Sequence, residues 1–110
     1  IMKDGEISQI GTPEEIVSNP KDQYVKDFCE DVPKYKVLSA GKVMRKECCD
    51  ETKKQFEKKE NCIQDDSKIE TLIDKLSEGD QAYPVICSSS GKLIGEIDRS
   101  IVMQSMKSKV

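Results

Sequence analysis

The residues able to do chemistry are few, and their spacing argues against catalysis. Five cysteines (Cys29, Cys48, Cys49, Cys62 and Cys87) form no C-x-x-C pair, and the chain has no histidine to complete a zinc site. Without histidine the commonest general base is missing, and no residues replace it in a catalytic constellation. An odd, irregular set of thiols suits a reducing compartment, where cysteines behave as small hydrophobes. The adjacent Cys48-Cys49 is poorly placed for an unstrained disulfide. Asp98 stands just before a helical pattern, where a carboxylate caps the first turn. Tyr83 and Pro84 open a short apolar run. No metal site is expected.

Those residues sit in a strand, helix, hairpin, helix order. The run Val85 to Cys87 and the run Leu93 to Ile97 are joined by Ser88-Ser89-Ser90-Gly91, whose serines and glycine supply turn geometry. Cys62-Ile63 begins a short strand before Asp65-Asp66. Ser67-x-x-Glu70 reads as a capping box, followed by Ile69, Leu72, Ile73 and Leu76 at helical spacing, with Gly79 as the stop. After the hairpin, Ile101, Val102 and Met106 share a helical face, and the basic tail Lys107-Ser108-Lys109 suits the negative end of its dipole. Two helices on one face of a small sheet predict a two-layer α+β unit over residues 61–110. The other sheet face then stays partly apolar and invites a second copy of the chain. A sheet covered on both faces from within one polypeptide would contradict that expectation.

Earlier in the chain, Asp4-Gly5 is a two-residue hairpin turn. Thr12-Pro13-Glu14-Glu15 is a capping box with proline at the first helical position, and Asn19-Pro20 ends that helix. A second helix is expected over Asp22 to Glu30, with Tyr24, Val25 and Phe28 on one face. From Arg45 to Asn61 the charges are mixed, and Cys48, Cys49 and Phe56 are the sole apolar anchors. That pattern fits a solvated helix or a partly ordered linker, and residues 33–60 read as a charged linker. A salt-sensitive element is the alternative there, since exposed ion pairs weaken as ionic strength rises.

Hydrophobic and charged residues each make up 35% of the 110, with no Trp, so one thin core is the limit. A net charge of −3 argues against a nucleic-acid surface. No apolar run reaches the ~20 residues needed to span a bilayer. The opening Ile1-Met2 suggests a piece of something longer.

Met2-Lys3-Asp4-Gly5-Glu6-Ile7, Gly11-Thr12-Pro13-Glu14-Glu15-Ile16, Asn19-Pro20 and Tyr24-Val25-x-x-Phe28 resemble the end of an ABC-transporter ATPase subunit, of the osmoprotectant (glycine betaine/proline) importers. The likeness covers about the first 45 residues. It implies that residues 1–32 are the C-terminal remnant of the ATPase domain and that the parent uses ATP and Mg²⁺. It also implies a membrane permease as the parent's partner and a cytoplasmic place at the inner face of the membrane. This chain has no G-x-x-x-x-G-K-[ST] loop and no switch histidine, so it is expected to cleave no ATP and to hold no cofactor of its own.

Ala82-Tyr83-Pro84-Val85-Ile86, Gly91-Lys92-Leu93-Ile94-Gly95 and the helix from Ser100 resemble a cystathionine-β-synthase (CBS) motif. The resemblance implies a single motif that pairs with another copy as a homodimer. It further implies a cleft for adenosine-type ligands. There Tyr83 would stack on an adenine ring, Pro84 is a further ligand candidate, and Asp98 and Ile101 occupy the places where a Thr or Ser and an Asp hold ribose. Ile101 offers nothing polar. Cap and packing roles for Asp98 and Tyr83 stand beside these. The function so implied is a regulatory tail that senses ionic strength or a small nucleotide; a ligand-free dimerisation module is the alternative.

Overall fold

The structure is a computed structural model that describes residues 1–107. It is mixed α and β. At the start, β1 (Met2–Lys3) pairs antiparallel with β2 (Glu6–Ile7) across Asp4 and Gly5, both at positive φ (53° and 79°). This is the conformation a two-residue hairpin demands. Then α1 (Pro13–Ser18) starts at Thr12, whose hydroxyl accepts the Glu15 N–H while Glu15 accepts the Thr12 N–H. It ends at Asn19, before Pro20. Next, α2 (Gln23–Phe28) is capped by Asp22. Val25 is fully buried on it, but Phe28 is 64% exposed, so the expected three-residue face is narrower than the spacing suggested.

Residues 33–60, expected as a linker, are folded. They contain α3 (Lys34–Val37), α4 (Ala40–Val43) and α5 (Asp50–Glu57). The first two are single turns. α3 packs on α1, and the backbone amides of Ala40 and Gly41 donate to the carbonyls of Ser67 and Asp65. Small residues there permit backbone to meet backbone.

The second sheet has the order β3 (Ile63–Gln64), β4 (Tyr83–Ile86), β5 (Leu93–Ile97). β3 runs parallel to β4, and the crossover between them carries α6 (Ile69–Leu76). β4 and β5 form the expected hairpin, with a register shift after Val85 that leaves Ile94 as the extra residue. Arg45 adds an edge pairing: its N–H and C=O exchange hydrogen bonds with Glu96, each 2.8 Å long. Finally, α7 (Arg99–Lys107) follows β5. The Ser108-Lys109 part of the expected basic tail lies outside the described residues.

Two helix boundaries differ from expectation. Ser67 does not cap α6; Lys68 holds the cap position, without a side-chain bond to the helix, and the Ile69 N–H goes to the Leu38 carbonyl. A tertiary partner has replaced the local one. The helix also ends at Ser77, and Gly79 is not at positive φ, so it closes no left-handed cap.

The pleat divides the sheet. Val85 and Ile97 are completely buried, in one core with Ile69, Leu72, Leu76 and Val102 from α6 and α7. Each such side chain contributes roughly 1.5–3 kcal/mol relative to exposure. Tyr83 shares this side, with the Lys75 ammonium 5.2 Å from its ring centre. Pro84 pairs with Glu96 and faces the other way, and that face is also covered: α5 packs against β4. Thr52 and Gln55 of α5 are buried, and the Gln55 amide donates to the Ala82 carbonyl at 2.8 Å. The expectation of an open apolar face awaiting a second copy is therefore corrected. The charged middle supplied the cover, through polar side chains that a search for apolar anchors passes over. Phe56, one of those anchors, is only half-buried.

Gly95 and Gly91 separate two reasons for glycine. A Cβ on Gly95 would lie 2.5 Å from Met44 Sδ and 2.7 Å from the Arg45 carbonyl oxygen, whereas Gly91 has open space but a φ of +73°. Gly95→Ala should cost ~1–3 kcal/mol by overpacking and speed hydrogen exchange at the Arg45 and Glu96 amides. Gly91→Ala should cost about 1 kcal/mol through backbone strain and leave those amides protected. Urea denaturation and amide exchange read both.

Candidate functional site

Of the residues singled out, Asp98 follows directly on β5, two positions after Glu96, and Arg45 meets both carboxylates. Arg45 Nη1 donates to Glu96 Oε2, and Nη2 donates to Asp98 Oδ2 at 3.0 Å. The other Glu96 oxygen accepts the Cys49 backbone N–H at 2.7 Å, immediately before α5. Asp98 Oδ1 accepts the Ile101 N–H at 3.1 Å, the cap of α7. Four elements therefore converge on two carboxylates and one guanidinium: the 45–49 segment, α5, β5 and α7.

The electrostatics follow from burial. The Glu96 side chain is 4% exposed, so desolvation opposes its charge and is the largest single influence on it. The Cys49 amide and Arg45 donate to it, the polar Thr52 and Cys49 side chains add to them, and their sum wins, holding the carboxyl below its usual range. Asp98 and Glu96 in turn raise Arg45 above its ordinary value. Nearby, burial pushes the Cys48 thiol up, with the Glu96 charge adding to it.

Sequence reasoning anticipated the helix cap of Asp98 but not its second partner. With one oxygen on Ile101 N–H and the other on Arg45, Asp98 is committed within the chain. Pro84 is fully buried and Tyr83 half-buried beneath Lys75. The three candidates do not converge on one cavity. Glu96 and Arg45 were missed because they stand 51 positions apart, and an antiparallel edge pairing of single residues leaves no periodic mark. Among the described residues no group of three or more His, Cys, Asp or Glu is placed to hold a metal ion, and no helix is long and apolar enough to cross a membrane.

A second carboxylate joins the first helices to the rest. Glu14 accepts the Ser39 N–H at 3.0 Å and the Ser39 hydroxyl, and receives Lys68 Nζ at 3.3 Å. Desolvation again opposes its charge and the donors outweigh it, so Glu14 is lowered.

All five cysteines are free. Cys87 differs from the rest, because the Ser89 and Ser90 hydroxyls and amides at the hairpin tip favour its thiolate and bring it down to about 7.

Two outcomes test this picture. Because Glu96 and Glu14 fall below 4.5 in the folded chain, their stabilisation is complete above that pH and is lost as pH falls through the lowered values. Glu96→Gln should cost ~1–3 kcal/mol in urea at pH 7, and its stability should decline less on acidification than that of the unmodified chain. For Cys87, iodoacetamide modification followed by peptide mass spectrometry should be half-maximal in rate near pH 7. Replacing Ser89 and Ser90 by alanine should move that midpoint up toward 9.

No protein-family model matches the chain, and no solved structure does. Curated relatives do match. The glycine betaine transport ATP-binding protein OpuAA of Bacillus subtilis is 59% identical over 46 residues, which is 42% of this chain and 11% of that protein. The trimethylamine N-oxide transport system ATP-binding protein TmoW of Pelagibacter ubique is 33% identical over 109 residues, 99% of this chain and 30% of that protein. The glycine betaine/proline betaine transport system ATP-binding protein ProV of Escherichia coli is 44% identical over 46 residues, 42% of this chain and 12% of its own length. The chain thus spans between about a tenth and a third of these relatives. Its relatives are ATP-binding subunits of glycine betaine and trimethylamine N-oxide transport systems, the group that residues 2–28 resemble.

Proposed function

We propose that this chain is the non-catalytic regulatory tail of an importer ATPase subunit for compatible solutes of the glycine betaine/proline class. The parent would bind ATP and Mg²⁺, dock on a membrane permease and lie at the cytoplasmic face. In this reading residues 61–110 are a single CBS-type unit that pairs with a second copy. The match to TmoW along 99% of the chain supports the placement, because it runs through the sheet and its helices as well as the ATPase-like start.

The observation that carries the regulatory part is the polar seat of α5. This helix is charged at five of its eight positions, and what it buries is Thr52 and Gln55. A cover held by hydrogen bonds and one half-exposed arginine is far easier to lift than one held by leucines. Salt screens Arg45 from its two carboxylates, and α5 then leaves the Pro84 side of the sheet free for the partner copy. Such a stimulus acts only through its different affinity for the covered and open states. An adenine-type nucleotide at Tyr83 is the second signal in this reading, in competition with Lys75 for the ring.

Light scattering during size-exclusion chromatography tests this. The chain should be monomeric at about 50 mM KCl and shift toward dimer at about 500 mM, with Glu96→Gln dimeric at both. A mass independent of salt in both proteins ends the ionic reading. A dimer at every salt concentration, with no thermal shift from ATP or AMP, favours the purely structural dimerisation module. A bound nucleotide at a hundred times its dissociation constant would stabilise by ~2.7 kcal/mol.

A further inference from the structure

A cleft of about 520 Å³ opens where α1, α3, α4 and α7 meet, away from the sheet. It falls within the size range of small-molecule sites. Its lining is mixed: Val17, Leu38, Val43 and Ile101 supply the apolar part, and Lys34 and Lys42 stand among the polar residues. No carboxylate lines it, in a chain with 21 acidic residues. Among the described residues neither lysine forms an ion pair. Lys42 also borders an acidic cleft with Glu14, Asp65 and Asp66, without pairing there, so its ammonium is not committed to either side. Beside the first cleft, the Ser18 hydroxyl oxygen is buried without a hydrogen-bond partner.

We infer that this cleft binds a small phosphomonoester with an apolar body, its dianionic phosphate between Lys34 and Lys42 and its body on Val17, Leu38 and Ile101. Two uncommitted ammonium groups match the two charges of a phosphomonoester better than the single charge of a carboxylate. The apolar part of the lining gives the ligand's body something to rest on that inorganic phosphate does not have. The site is made by one chain, joining α1 to α7, and includes none of Tyr83, Pro84 and Asp98. It therefore stands or falls separately from pairing.

Phenyl phosphate, benzoate and benzyl alcohol share a ring and differ in charge, and they serve as probes in amide chemical-shift titrations of the 110-residue chain. Phenyl phosphate should saturate, with the largest shifts at Ser18, Leu38 and Ile101. Benzoate should bind at least tenfold more weakly, and benzyl alcohol should leave those amides unmoved at the same concentration. The Lys34→Gln/Lys42→Gln protein should lose at least tenfold in phenyl phosphate affinity. Both lysines are outside the core, and an unchanged amide spectrum of the free variant checks its fold. Absence of saturation, shifts centred elsewhere, equal binding of benzyl alcohol, or affinity unchanged in the double variant would each overturn the assignment. Equal binding of benzoate would overturn the preference for phosphate.

Discussion

A carboxylate withdrawn from water must have its oxygens filled, and Glu96 imposes that condition on the middle of the chain. Its desolvation is offset only if the Cys49 amide and the Arg45 guanidinium arrive together, because either donor alone leaves a buried charge under-compensated. Meeting both fixes the path from 45 to 49: Arg45 pairs on the β5 edge, and the chain turns over the sheet to begin α5. Thr52 and Gln55 then fall against the Pro84 side, with partners at Cys49 and Ala82. A helix with little apolar surface is held in place by one acid.

Glu14 works by the same logic at the other end. It too accepts a backbone amide and a cation, and the two attachments place α1 against the turn between α3 and α4 and against Lys68. The Lys68 ammonium also donates to the Val37 carbonyl at 2.8 Å, tying α3 to the start of α6. The apolar core runs beneath, from Val17 and Val25 through Leu38 to Ile69 and Val102. Burial supplies most of the stabilisation there, while the two acids decide which helix lies where.

The sequence made legible what is local. The Asp4-Gly5 turn, the Thr12 box, the Asn19-Pro20 stop, the α6 stripe and the β4–β5 hairpin each depend on residues within a few positions of one another. What escaped was long-range and polar. Thr52 and Gln55 give α5 no apolar period, so their burial cannot be read from spacing. Ser67 has the chemistry of a cap, yet the Leu38 carbonyl, 31 positions away from Ile69, takes the amide that begins the helix. Gly79 looked like a stop, but α6 had already ended two residues earlier. At the candidate site Asp98 was visible as a cap, while the arginine that occupies its other oxygen was indistinguishable from the neighbouring charges.

The two halves of the Glu96 seat respond differently to their surroundings, and this difference gives the proposed release its threshold. Arg45 is 47% exposed, so ions reach it and its attraction for the two acids is screened within a few ångströms at high salt. The Cys49 amide bond to Glu96 belongs to a side chain 4% exposed, which bulk ions barely touch. In the proposed release, Glu96 keeps its amide as salt rises but loses the compensating charge, and the cost of its burial returns. Lifting α5 rehydrates that carboxylate and removes the cost. The opposing force is the hydrogen bond from Gln55 to the Ala82 carbonyl, contributing about 1 kcal/mol, with the burial of Thr52 beside it. A hydrophobic cover would answer to salt in the opposite sense, since excluded salts strengthen apolar burial. The polar composition of α5 would therefore set the sign of the proposed response as well as its ease.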